Sequence, residues 1–160
     1  MPVDFGNVQS VDVLNLKSLE ARAEQVIGTG EFGYISEGSD DGYTKARNTS
    51  AFNDVHMLPH VLRNVEKPDQ SVEFLGSKLT SPLLTAPIAG NTLAHESGEI
   101  GLAKGAKEAG IMMAQSTFAS KTIAETAAVS DGGPYMFQLY MPKDWEYAKY
   151  LLDEARNAHA

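Results

Sequence analysis

The spacing of apolar residues changes character near residue 80. Before it, apolar positions cluster on one short helical stripe and then scatter; after it, short apolar runs alternate with longer amphipathic stretches. Leu16, Leu19, Ala23, Val26 and Ile27 fall on one face of a helix that Asn15 can cap and Gly28 can close. Residues 29–43 are rich in Gly, Ser and Asp and read as an irregular loop carrying Tyr34 and Tyr43. Residues 44–68 mix apolar side chains with prolines and polar groups and assign to no element. Ser71–Leu75 and Lys78–Thr80 alternate around a turn led by Gly76 and Ser77, the pattern of a hairpin that could cover one end of a sheet.

From Pro82 onward a strand–helix rhythm appears three times. Leu83–Ala89 is a short apolar run bounded by Pro82 and Gly90, suited to a strand buried on both faces. A helix is expected from about Glu96, with Ile100, Ala103, Ala106 and Ala109 inward and Gly110 as its stop. Ile111–Ser116 gives a second strand, followed by a helix capped by Ser120 with Ile123, Ala124, Ala127 and Ala128 inward. Tyr135–Tyr140 gives a third strand. Asp144 then caps a helix that turns Trp145, Ala148, Leu151, Leu152 and Ala155 inward. Strands separated by helices of about 10–15 residues imply a parallel α/β sheet with right-handed crossovers. The chain therefore divides into residues 1–80, a helical and loop segment with a hairpin, and residues 81–160, three βα units.

At 160 residues the chain is short for a closed (β/α)8 barrel, which needs roughly 250. Three parallel strands leave a sheet edge that would recruit other chains. The sequence is thus expected to be part of a longer product, the alternative being a non-catalytic half-barrel that assembles through this edge. With 42% hydrophobic and 21% charged residues the chain is of ordinary globular composition. A net charge of -8 argues against nucleic-acid partners. No cysteine is present, so disulfides, thiolate metal sites and a cysteine nucleophile are excluded. The first twenty residues carry Asp4, Asp12 and Glu20 with no apolar core, and no run approaches the roughly 18 apolar residues of a membrane span. No membrane association and a cytoplasmic location are the expectations.

In parallel βα folds ligands gather at the carboxyl ends of the strands. Those ends are Ala86–Ala89, Gln115–Phe118 and Gln138–Tyr140. Ser116, Gln138 and Tyr140 place hydrogen-bonding groups on one rim of an otherwise apolar core, although Gln138 alone could equally serve a structural network. Tyr34, judged by composition, is better read as an amphipathic anchor at a surface edge. Of the four histidines only His56 and His60 share a helical spacing, without an acidic partner between them, so no metal site is expected. Glu96 and Glu99 read as exposed complements of a helix dipole, and His95 as a loop or capping group.

Several stretches in register carry a more specific signal. Tyr34–Gly38 with Asp41 and Thr44, Ala86–Ala89, Leu93–His95 with Gly98 and Glu99, Ser116–Phe118, and Phe137–Tyr140 resemble the FMN-dependent α-hydroxy acid oxidases, from about Leu16 to the last residue. The resemblance implies the N-terminal part of a (β/α)8 TIM barrel that binds FMN. It implies oxidation of a small L-2-hydroxy acid, L-lactate favoured, to the 2-oxo acid, with O2 reduced to H2O2. A monooxygenase or a dehydrogenase of the same family is the alternative. On this resemblance Tyr34 and Tyr140 contact substrate, Tyr140 near the reacting oxygen. Pro87, Ile88 and Ala89 run along the flavin ring, with the Ala89 main-chain N–H toward N5, and Ser116 and Gln138 hydrogen-bond the ring.

The resemblance further implies a homo-oligomer, a tetramer, and a C-terminal remainder of the barrel as partner. That remainder would hold the base histidine, the substrate-binding arginine, a lysine near the flavin and the phosphate loops, none of which matches a position here. The 160 residues alone are therefore expected to be inactive. Three positions depart from the family pattern: Phe118 where a Tyr or Trp is usual, Gly90 in place of a bulkier residue, and Asn91–Thr92.

Overall fold

The computed structural model describes residues 15–160 in full and, before them, the main chain of two strands, β1 (Val3–Phe5) and β2 (Val8–Val11), which pair antiparallel. The chain divides into two compact units, Met1–Pro59 and His60–Ala160.

In the first unit α1 spans Leu16–Val26, and the Asn15 side chain accepts from the Ser18 N–H at 2.9 Å, as its position before the apolar stripe demands. The stretch 29–43, expected to be an irregular loop, is helical over α2 (Thr29–Ser36), and the stretch after it, which assigned to no element, carries α3 (Tyr43–Ser50) and a 3-10 turn at Ala51–Asp54. Gly30 and Gly33 each weaken a helix by about 1 kcal/mol relative to alanine, but they do not forbid one. Glu31 in the first turn of α2 favours the helix through the dipole. Gly42 enters α3 in the left-handed region at φ 69°, a conformation that suits its lack of a side chain.

The second unit carries the βα repeats. The hairpin is present as β3 (Val72–Phe74) and β4 (Ser77–Leu79), but its turn is Leu75–Gly76, one residue earlier than expected, and Phe74 pairs with Ser77. Both turn residues have positive φ, 47° and 77°, the geometry that matches strand twist. Leu79 is buried, and Thr80 hydrogen-bonds the Ala109 carbonyl through Oγ1 at 2.7 Å and the Gly110 carbonyl through its N–H at 2.9 Å. The hairpin is thereby fastened beside the amino end of the sheet, away from the rim where ligands gather.

The sheet has the order β5 (Leu84–Thr85), β6 (Met112–Ser116), β7 (Tyr135–Gln138), all parallel. Between the strands lie α4 (Gly98–Ala109) and α5 (Ile123–Ser130), and α6 (Trp145–Asn157) follows β7. β6 is buried along its whole length. β5 is not buried on both faces as expected: it is two residues long, it lies at the sheet edge, and Leu83, Leu84 and Ile88 are exposed. Because side chains alternate across a strand, Met113 and Tyr135 face the helices. There they pack with Ala103, Ala106, Ile123 and Ala155. Met112, Ala114 and Ser116 of β6 and Met136 and Gln138 of β7 take the opposite face.

Helix boundaries follow side-chain chemistry more closely than the expected positions. α4 begins at Gly98 after a 3-10 turn at Asn91–Leu93, two residues later than expected. Thr122, not Ser120, caps α5, because only Thr122 has a glutamate three residues on to complete a reciprocal pair: Thr122 N–H donates to Glu125 Oε2 at 2.8 Å and Glu125 N–H to Thr122 Oγ1 at 3.2 Å. Asp144 caps α6 as expected, accepting from the Glu146 N–H at 2.9 Å. Ala148, Leu151 and Ala155 of α6 are buried, whereas Trp145 and Leu152 are exposed.

Candidate active-site rim

At the carboxyl ends of the strands, three loops are tied to one another by a few short hydrogen bonds. Ser116 and Gln138 sit opposite each other in the parallel register, and Ser116 Oγ donates to Gln138 Oε1 at 3.3 Å. That bond leaves the Gln138 amide with its two N–H donors for a ligand. Ser116 Oγ also accepts from the Phe118 N–H at 3.1 Å. Thr117 Oγ1 donates to the Gln138 carbonyl at 2.6 Å and accepts from the Tyr140 N–H at 2.9 Å, so one hydroxyl sets the turn into the third loop. The first loop joins through the Gly90 N–H, which donates to the Phe118 carbonyl at 3.1 Å. The structure thus brings Ala89, Ser116, Gln138 and Tyr140 onto one rim. Tyr34 lies in the first unit, on α2, where it is exposed.

The rim offers both kinds of surface that a flat heteroaromatic ring needs. Ile88, Phe118 and Tyr140 are exposed, and the Phe118 and Tyr140 rings lie 5.4 Å apart at 31°. On the same rim as these paired rings stand the Ser116 hydroxyl, the Gln138 amide and, through the Gly90 N–H to the Phe118 carbonyl, the main chain that follows Pro87–Ala89. Donors fixed on strand ends keep their positions as charge develops. These residues fit the ring of FMN.

Behind the rim stands a side chain that the sequence reading misplaced. Glu99 is not an exposed dipole complement: it is fully buried in the first turn of α4. Its Oε1 accepts from the Asn91 N–H at 3.2 Å, from Asn91 Nδ2 at 3.0 Å and from the Ser120 N–H at 2.9 Å, while Oε2 accepts from the Lys121 N–H at 3.1 Å. Burial opposes its ionisation, yet hydrogen bonds from Ser120, its own main chain and Asn91 outweigh this and hold the carboxyl below its ordinary value. Helical spacing contained the clue, since Glu99, Ala103 and Ala106 are related by i, i+4 and i+7 and so share the buried face.

Gln115 belongs to the same support, not to the ligand side. It is buried toward the helices, donates through Nε2 to the Lys121 carbonyl at 2.9 Å, and accepts from the Tyr135 hydroxyl through Oε1. Burial, and secondarily the Glu99 charge, push the Tyr135 phenol above its ordinary value. His95 is a loop group, as expected: its Nδ1 pairs with Ser97 Oγ at 2.9 Å. No group of three or more metal-ligating side chains occurs among the described residues.

Three parallel βα units with a polar rim at their strand ends, together with a family match and a superposition on a solved relative, correspond to the N-terminal portion of a (β/α)8 barrel. Residues 23–160 match the model of the FMN-dependent dehydrogenase family, and the chain belongs to that family. It is 80% identical to an L-lactate oxidase of Lacticaseibacillus rhamnosus over 156 residues, which is 98% of this chain and 42% of that protein. It is 47% identical to an L-lactate oxidase of Lentilactobacillus hilgardii over 95% of this chain and 41% of that one. Among solved structures, a lactate oxidase of Pediococcus acidilactici superposes with a TM-score of 0.89 at 46% identity, covering 94% of this chain and 42% of the other. The chain therefore spans about two fifths of the length of the relatives it matches.

Proposed function

We propose that this chain supplies the ring-binding and part of the substrate-binding rim of an FMN-dependent L-2-hydroxy acid oxidase, with L-lactate as the favoured substrate. The observation that carries the proposal is the convergence of Ala89, Ser116, Gln138 and Tyr140 on one rim, in a chain 80% identical to an L-lactate oxidase. When bound, FMN supplies a two-electron acceptor for the oxidation of the hydroxy acid and a route for those electrons to O2, which becomes H2O2. The main chain of Pro87, Ile88 and Ala89 would hold one edge of the ring, and Ser116 Oγ and the Gln138 amide its polar atoms. Tyr140, in the catalytic role, would hydrogen-bond near the reacting oxygen through its phenol. Tyr34 is the residue that the family resemblance assigns to the substrate carboxylate. Phe118, whose ring lies 5.4 Å from that of Tyr140, stands where the family usually has Tyr or Trp and therefore lacks their polar contact to substrate. On the same resemblance, the base that takes the hydroxyl proton would be a histidine outside these residues.

The same reading gives a homotetramer in the cytoplasm. Among the described residues no helix is long and apolar enough to cross a membrane. The full-length protein tests the reading. Purified with FMN and supplied with L-lactate in air, it should yield pyruvate and peroxide in equal amounts. Pyruvate without peroxide, formed only when another electron acceptor is added, would assign it to the dehydrogenases of the family. Oxygen uptake that yields a decarboxylated acid and CO2 in place of pyruvate and peroxide would assign it to the monooxygenases, and the absence of a flavin spectrum would remove the reading altogether.

A further inference from the structure

The buried carboxylate of Glu99 bonds to main-chain groups of two loops that are far apart in sequence, one after β5 and one after β6. It has no cationic partner among the described residues, so its charge is balanced by N–H donors alone. One of those donors reaches further. The Asn91 side-chain amide donates to Glu99 Oε1 at 3.0 Å and to the Ile88 carbonyl at 3.3 Å. A continuous path therefore runs from Glu99 through Asn91 to the Ile88–Ala89 peptide, the segment assigned above to the flavin ring. Gly90, at φ 62°, turns the chain between them, and its N–H to the Phe118 carbonyl closes the arrangement.

We infer that Glu99 is the positioning residue for the ring-facing peptide: acting through Asn91, its carboxylate fixes the Ile88–Ala89 main chain in the orientation that receives FMN. The inference rests on the flavin reading above. Its logic is that of a support behind a ligand-contacting group, which sets the group's aim without touching the ligand. A carboxylate suits this place because it accepts several N–H bonds at once. Gln in its place would turn one N–H2 group toward a main-chain donor.

The test uses the full-length protein and its Glu99→Gln, Asn91→Ala and Thr126→Val variants. Thr126 is equally buried, and its hydroxyl donates only to the Thr122 carbonyl within α5 at 3.1 Å, so its variant reports loss of stability without loss of aim. FMN affinity is read by quenching of flavin fluorescence, and amide exchange of residues 87–91 is read in the FMN-free protein. Glu99→Gln should weaken FMN binding on the order of tenfold and speed exchange at 87–91, because a buried charge-assisted bond is lost. Asn91→Ala should do the same, and the double variant should be no worse than either alone. Thr126→Val should change neither readout. FMN affinity in Glu99→Gln equal to that of wild type, or a loss matched by Thr126→Val, would overturn the inference. Failure of the wild-type protein to bind FMN would instead overturn the flavin reading on which it rests.

Discussion

Thr117 and Gln138 are joined by a 2.6 Å hydrogen bond from the threonine hydroxyl to the glutamine carbonyl, at the point where β7 ends and the Tyr140 loop begins. The same hydroxyl accepts the Tyr140 N–H, so it fills the place of the next strand residue that a longer β6 would have supplied. Replacing Thr117 by Val keeps the shape and leaves the part-buried Gln138 carbonyl and the exposed Tyr140 N–H without this partner. The expected loss is about 1–3 kcal/mol of stability. In the full-length enzyme a rise in KM for L-lactate should accompany it, because the aim of Tyr140 depends on this loop. Denaturant unfolding and steady-state kinetics check both parts, and an unchanged KM beside lowered stability would confine Thr117 to a structural role.

A second expectation concerns the amino end of the sheet. Gly110 stands at φ 67°, and a Cβ placed there would lie 2.4 Å from Thr80 Cγ2. Gly110→Ala should therefore cost upwards of about 1 kcal/mol from backbone strain alone, with the clash added to it. Pairing it with Thr80→Ser removes the clashing methyl while keeping the hydroxyl that bonds Ala109. The pair should recover part of the loss but not the strain at positive φ. Melting temperatures of the two single variants and the double variant decide this, and full recovery would show that crowding alone requires the glycine.

Tyr135 and Gln115 share a buried hydrogen bond on the helix side of the sheet. The raised phenol has a direct consequence for pH. A tyrosine whose folded value lies above its ordinary 10.0 favours the protonated, folded protein up to the unfolded value, and that advantage is lost as pH climbs from there toward the folded value. Stability should thus decline above about pH 10 with a contribution that Tyr135→Phe removes. The same variant should lose about 1–3 kcal/mol at neutral pH, since Gln115 Oε1 would keep no partner in the core. Unfolding followed at neutral and alkaline pH in both proteins is the measurement. An equal alkaline decline in both would assign it to other groups.

How far the sequence revealed this molecule depended on whether a feature is local. The three βα units and the Asn15 and Asp144 caps followed from patterns within a few residues, and the grouping of Ser116, Gln138 and Tyr140 from the rule that parallel βα units gather polar groups at their strand ends. Helix α2 was hidden because two glycines in eight residues mimic a loop when tertiary support is invisible. The exposure of Leu83 and Ile88 was hidden because an apolar run does not say whether its neighbours lie on both sides. Glu99 was misread for a more instructive reason. Its class suggested solvent while its helical phase, shared with Ala103 and Ala106, pointed inward, and the donors that make burial tolerable come from residues up to 22 positions away.

That burial makes a last prediction about acid. Glu99 is held below its ordinary carboxyl value of 4.5. A group depressed in the folded state stabilises the protein above its unfolded value, and the contribution disappears as pH falls through the folded one. Wild type should therefore exceed Glu99→Gln in stability by its full margin at neutral pH. The margin should narrow once pH drops below 4.5, because wild type then pays to keep or to protonate the same carboxylate that the variant lacks. Urea unfolding of both proteins at a series of pH values from 7 downward would show the convergence. A constant margin across that range would mean that packing around the side chain, and not its charge, accounts for the loss.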